Sequence, residues 1–89
     1  MKLIKKVQVK NRLGLHTRPA TMIVKLLQNS KSDVSFTCRK ETINAKSILS
    51  ILMLAAKKNS RITITVDGED ADNTLNRLVE AFDNSFGEK

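Results

Sequence analysis

Apolar residues recur along this chain in two rhythms, and the switch between them marks out the elements. Near the start, Val7 and Val9 point one way while Lys6, Gln8 and Lys10 point the other, as in a half-buried strand beginning near Leu3. Asn11 to Leu15 breaks the alternation and reads as a loop, in which Gly14 can take backbone angles that other residues avoid. Ala20, Ile23, Val24 and Leu27 then follow at helical spacing and define a buried stripe. Pro19 suits the first turn of that helix, where a missing N–H costs nothing. The helix therefore starts just after His16, with His16 as its cap residue, and ends near Asn29 and Ser30.

Alternation returns at Val34, Phe36 and Cys38, set against Ser35, Thr37 and Arg39. Thr42 to Ala45 reads as the hairpin partner, although Lys40-Glu41 lacks the usual glycine turn signal. Ser47 caps a short helix running through Ala56, and Asn59 is its left-handed stop. Ile62, Ile64 and Val66 alternate with Thr63 and Thr65 in a last strand that Gly68 breaks. Asp70 and Asp72 suit the first turn of a final helix whose stripe is Ala71, Leu75, Leu78 and Phe82. The order is β-α-β-β-α-β-α. One apolar face per strand and right-handed crossovers predict an α/β open-faced sandwich, a four-stranded antiparallel sheet with three helices on one face. With no internal repeat or linker, residues 1–89 are expected to form a single domain.

Composition narrows the function classes. No apolar run approaches the roughly 18 residues that span a membrane. The basic start, Met1 to Lys6, alternates too soon into polar residues for a signal peptide, so a cytoplasmic protein without membrane attachment is expected. Cys38 stands alone, which excludes an internal disulfide framework and a cysteine metal site; it reads as a small core hydrophobe. Asp67, Glu69, Asp70 and Asp72 read as helix-dipole partners rather than a cation site, and neither metal nor other cofactor is expected. The net charge of +7 is concentrated in Lys2, Lys5, Lys6, Lys10 and Arg12, and again in Lys57, Lys58 and Arg61. Such a surface attracts acidic partners, and it raises one alternative, a small basic nucleic-acid-binding module. There is no Trp or Tyr, and only Phe36, Phe82 and Phe86 could stack on bases, so that alternative ranks second.

The chemistry centres on the one histidine, in Gly14-Leu15-His16-Thr17-Arg18-Pro19-Ala20. A helix N-terminus offers unpaired amides and a dipole that favours negative charge, so it is a ready anion site. An imidazole there can act as a nucleophile whose phosphorylated form the backbone holds, and Arg18 adds a cationic fork suited to phosphate. Phosphoryl transfer from a nucleotide needs a phosphate-cradling loop and metal-binding carboxylates, and the sequence has neither motif. The pattern is that of a carrier, not an enzyme.

This motif, together with Asn44-Ala45-Lys46-Ser47-Ile48-Leu49 and Gly68-Glu69-Asp70-Ala71, closely resembles the histidine-containing phosphocarrier family, HPr, of the bacterial phosphoenolpyruvate-dependent phosphotransferase system. The resemblance covers nearly the whole chain. It implies that His16 takes phosphate on Nδ1 from enzyme I and passes it to an EIIA-type acceptor, with Arg18 and the amides of Thr17 and Arg18 holding the phosphoryl oxygens. It further implies that Ser47 is a regulatory site for an HPr kinase/phosphorylase, and that Thr17, Ile48, Leu49, Leu52 and Met53 dock partners. A monomer is expected. Three positions depart from the family pattern: Leu13 stands where many members carry a small polar residue, and Ala55 and Asn59 stand where glycines are common. Lys10 to Gly14, Leu52 to Ala56 and the Phe82 to Phe86 tail are closer to the nitrogen-related regulatory branch.

Overall fold

Strands whose buried and open side chains alternate build the sheet that carries the molecule. In a computed structural model, which describes residues 1–88, the strands are β1 (Lys2–Gln8), β2 (Asp33–Cys38), β3 (Glu41–Asn44) and β4 (Arg61–Asp67). They lie in the order β1-β4-β2-β3, with every neighbouring pair antiparallel. Val34, Phe36 and Cys38 of β2 and Ile62, Ile64 and Val66 of β4 are buried on one face, and Leu3 and Val7 pack at its margin. The opposite face is polar apart from the exposed Ile4. Ile4, Thr65, Ser35 and Asn44 form one row across it, and Lys6, Thr63, Thr37 and Thr42 another.

The helices α1 (Thr17–Leu27), α2 (Ile48–Leu54) and α3 (Ala71–Asp83) cover the apolar face, giving the open-faced sandwich that the alternation predicts. They contribute Ala20, Ile23 and Leu27, then Ile51 and Leu54, then Ala71, Leu78 and Phe82 to one core. Each fully buried Ile, Leu or Phe contributes about 1.5–3 kcal/mol. No helix among the described residues is long and apolar enough to cross a membrane.

Several boundaries differ from the sequence reading, each for a local reason. Helix α1 ends at Leu27, short of Asn29 and Ser30; Gln28 N–H turns back to Lys25 O (3.2 Å), and Ser30 O accepts from Lys46 Nζ (3.0 Å). Helix α2 ends at Leu54, not Ala56, because Ala55 is already left-handed (φ 52°). Asn59 is left-handed as well (φ 74°), but it lies in the loop before β4, where its N–H bonds Val9 O at 2.7 Å. The hairpin turn closes without glycine: Arg39 and Lys40 both have positive φ (50° and 69°), so β3 begins at Glu41, paired with Cys38. Arg39 offsets that strain by donating from Nη2 to Leu54 O at the end of α2 (2.9 Å). Val24 and Leu75 are only half-buried, while Thr74 is buried with its hydroxyl 2.7 Å from that of Ser30.

Asp70 precedes α3 instead of sitting in its first turn, and its carboxylate does not cap that helix. It accepts instead from the hydroxyls of Ser32 and Ser30 and from Lys31 N–H (2.9 Å). These bonds, the Ser32 hydroxyl foremost, hold its carboxyl below the usual range. Gly68 lies against Ser32 so closely that any Cβ would overlap it.

Candidate functional site

The loop between β1 and α1 is clamped to residues 56–60, and the clamp sets the position of His16. Val9 N–H bonds Ser60 O (2.9 Å), and Leu15 N–H bonds Ala56 O (2.9 Å). Gly14 makes that approach possible: its φ is +69°, and a Cβ would overlap Ala56 O. The chain then enters α1 at His16, whose backbone is extended (φ −79°, ψ −168°) and whose carbonyl accepts the first helical bond from Ala20 N–H (3.0 Å). His16 thus occupies the cap position, but its imidazole caps nothing. The ring points into the surface depression instead and is about one-third exposed (31%).

Helix geometry leaves the N–H groups of Thr17 and Arg18 without an intrahelical acceptor, and Pro19 has none to offer. Both Thr17 and Arg18 are exposed. His16 and Arg18 share a depression of about 290 Å³ with Arg12, Leu13, Gly87 and Glu88. Nε2 of His16 lies 3.1 Å from Oε1 and 3.0 Å from Oε2 of Glu88. An ionised carboxylate only accepts hydrogen bonds, so Nε2 carries the proton and a neutral ring presents its lone pair at Nδ1. The Asn11 amide is the main group holding the Glu88 carboxyl below its ordinary value. Partial burial opposes it, and the His16 hydrogen bond and the nearby Arg18 cation reinforce it.

The other sequence-derived residues form a separate patch. Ser47 caps α2, its hydroxyl accepting from Ser50 N–H (3.2 Å). Ile48, Leu49 and Met53 are 38%, 66% and 72% exposed, whereas Leu52 is half-buried against the core. None of these lines the depression around His16; Ile48 instead shares a groove with Thr21, Val24 and Lys25 of the neighbouring α1. Cys38 is buried, and so are Phe36, Phe82 and Phe86, which leaves no aromatic face free to stack a base.

Glu88 and Asn11 were invisible to the motif reading. The relevant signal was the spacing of Phe86 four residues after Phe82, which continues the apolar stripe past the end of α3. Phe36 and Phe82 meet edge to face (5.7 Å), as do Phe82 and Phe86 (4.9 Å), and that ladder folds the tail back toward His16.

Comparison with known proteins identifies the family and the fold. Residues 3–84 match the family described as PTS HPr component phosphorylation site. The chain is 46% identical over 80 residues to the phosphocarrier protein HPr of Chlamydia pneumoniae, covering 90% of this chain and 74% of that one. Among solved structures, HPr-C-His from Thermoanaerobacter tengcongensis superposes with a TM-score of 0.93 at 28% identity, over 98% of both chains. The phosphocarrier protein HPr of Bacillus anthracis gives 0.86 at 37% identity, over 91% of this chain and 96% of that one. The chain belongs to the HPr family, the phosphocarriers of the phosphotransferase system, which carry phosphate without being enzymes themselves.

Proposed function

We propose that His16 accepts a phosphoryl group on Nδ1 from phosphoenolpyruvate-charged enzyme I and delivers it to an EIIA-type acceptor. The observation that carries this reading is the placement of one imidazole, engaged at Nε2 by Glu88, at the start of α1 beside the unpaired amides of Thr17 and Arg18. The helix dipole and the Arg18 guanidinium favour the arriving dianion. The imidazole is partly exposed at the surface rather than enclosed, which suits a cargo that must leave again.

Partners dock on the exposed Ile48, Leu49 and Met53, with Leu52 beneath them and Thr17 on the adjoining helix start. Phosphorylation of Ser47 by an HPr kinase/phosphorylase is tolerated at a helix start, while its charge spoils the apolar surface beside it. We place the protein in the cytoplasm as a monomer. The nucleic-acid alternative loses ground because all three phenylalanines are buried. Sugar uptake and nitrogen-related signalling both use this chemistry. A sugar permease gene nearby indicates the first, and a soluble regulatory acceptor without one indicates the second.

Incubation with enzyme I and phosphoenolpyruvate is the test. Acid-labile phosphate appears on the chain and is absent from His16→Ala; undiminished labelling of that variant overturns the assignment. Ser47→Asp is expected to load more slowly, and equal rates argue against the docking surface.

A further inference from the structure

Glu88 lies outside every helix and strand, yet two costly features hold its carboxylate against the imidazole. The first is the short 3-10 turn Ser85–Gly87, in which Ser85, Phe86 and Gly87 all take positive φ (52°, 52° and 77°). Such angles are unfavourable for the first two residues, and the buried Phe86 ring anchors the turn against Phe82. The second is Asn11, itself 2% exposed. Its Nδ2 donates to Ser85 O (2.8 Å) and to Glu88 Oε1, both acceptors, so the amide cannot be reversed. Its Oδ1 is left buried with no partner among the described residues. An orphaned buried acceptor typically costs about 1–3 kcal/mol. Backbone ease and a hydrogen bond are given up at the same place, and both sacrifices fix Glu88.

We propose that Glu88 is a positioning residue for phosphoryl transfer, keeping the proton on Nε2 of His16 through both halves of the cycle. This rests on the relay reading above. In loading, the Nδ1 lone pair forms a bond to phosphorus while the N–P bond of a phosphorylated-imidazole donor breaks and its electron pair stays on the donor nitrogen. The His16 ring then carries phosphoryl on Nδ1, a proton on Nε2 and a positive charge that faces the carboxylate. In unloading, an acceptor imidazole's lone pair takes the phosphorus, the Nδ1–P bond breaks, and its electron pair returns to the ring. His16 leaves as the same neutral Nε2–H tautomer, so neither half draws a proton from solvent or releases one. A phosphorylated ring that had lost the Nε2 proton would have to depart as an imidazolate, a far poorer leaving group. Of the charged side chains lining the depression, Arg12 and Arg18 are cations and Glu88 is the one anion among the described residues able to offset the ring's charge.

Glu88→Gln preserves the shape and removes the charge, at a position beyond the last helix where the core is untouched. Wild type and variant are loaded with phosphoramidate, a small N–P donor that needs no partner protein. Nitrogen NMR at mildly alkaline pH is expected to show the Nε2 proton retained in the phosphorylated wild type and lost in the variant. Release of the phosphoryl group to free imidazole is expected to be about tenfold slower in the variant, because fewer of its rings keep the Nε2 proton that lets them leave neutral. A merely structural role for Glu88 leaves the Nε2 proton in place, so equal proton occupancy and equal release rates overturn the proposal. If enzyme I labels neither protein while phosphoramidate labels both, the relay reading fails, and the Nε2 proton still decides the part played by Glu88.

Discussion

At Gly14 the constraint on the site is steric before it is chemical. A side chain there meets Ala56 O, the acceptor that locates Leu15 and, through it, His16. Gly14→Ala is expected to cost about 1–3 kcal/mol, read by denaturant unfolding, and to slow loading of His16 by phosphoramidate. Unchanged stability would mean that the loop does not need this approach. Asp70 gives a prediction with a defined sign. Its carboxyl lies below its ordinary value of 3.8 in the folded protein because it accepts from Ser32, Lys31 and Ser30. The unfolded chain therefore takes up the proton first as pH falls, and the stabilisation is complete above about pH 4 and lost progressively below it. Asp70→Asn should flatten the acid limb of the stability curve; an identical limb would show that other carboxyls set it. His16 and Arg18 were legible in the sequence because a helix start announces itself locally. Glu88 was not, since it reaches His16 from 72 residues away through the packing of Phe86.

At the scale of elements, periodicity located β1, β2, β4, α1 and α3, because each presents one face to a single core. Strand β3 and helix α2 followed from hairpin pairing and the Ser47 cap, and the turn Ser85–Gly87 was not foreseen. The ends of α2 and the hairpin were less legible. Arg39, Lys40 and Ala55 adopt left-handed angles without being glycine or asparagine, and a bond from Arg39 to Leu54 O ties two of these ends together. Ala55→Gly is expected to stabilise the protein by about 0.5–1 kcal/mol, since glycine takes a left-handed cap without steric penalty. A lower unfolding midpoint would contradict that account of the helix end. On the exposed face of α2, Leu49→Glu should leave stability within about 0.5 kcal/mol of wild type, as surface changes usually do. It should also slow loading from enzyme I by about tenfold or more, the loss of one well-placed apolar contact. Normal loading would move the docking surface elsewhere.

Across the whole molecule, the open sheet face and the site lie on different parts of the fold, and the excess positive charge has to be read against both. Its described ion pairs are surface contacts such as Lys31 with Glu69 (3.4 Å) and Lys10 with Asp83 (3.9 Å), which are worth little. Most of the charge is therefore free to steer an acidic partner toward Arg12 and Arg18 beside His16. Loading from enzyme I should slow as salt rises, while loading by phosphoramidate stays nearly constant. The sequence alone left acidic proteins and nucleic acid both open, because charge does not name its partner. The burial of all three phenylalanines removes the aromatic platforms on which single-strand binders stack bases. A carrier is defined by handing its cargo on, so the most direct measurement is a chase. The chain is loaded once with radiolabelled phosphate, freed of enzyme I, and mixed with an EIIA-type acceptor. Label leaving His16 and appearing on the acceptor is the expected result; label that stays on the chain, or is lost to water at the same rate with and without acceptor, contradicts the relay.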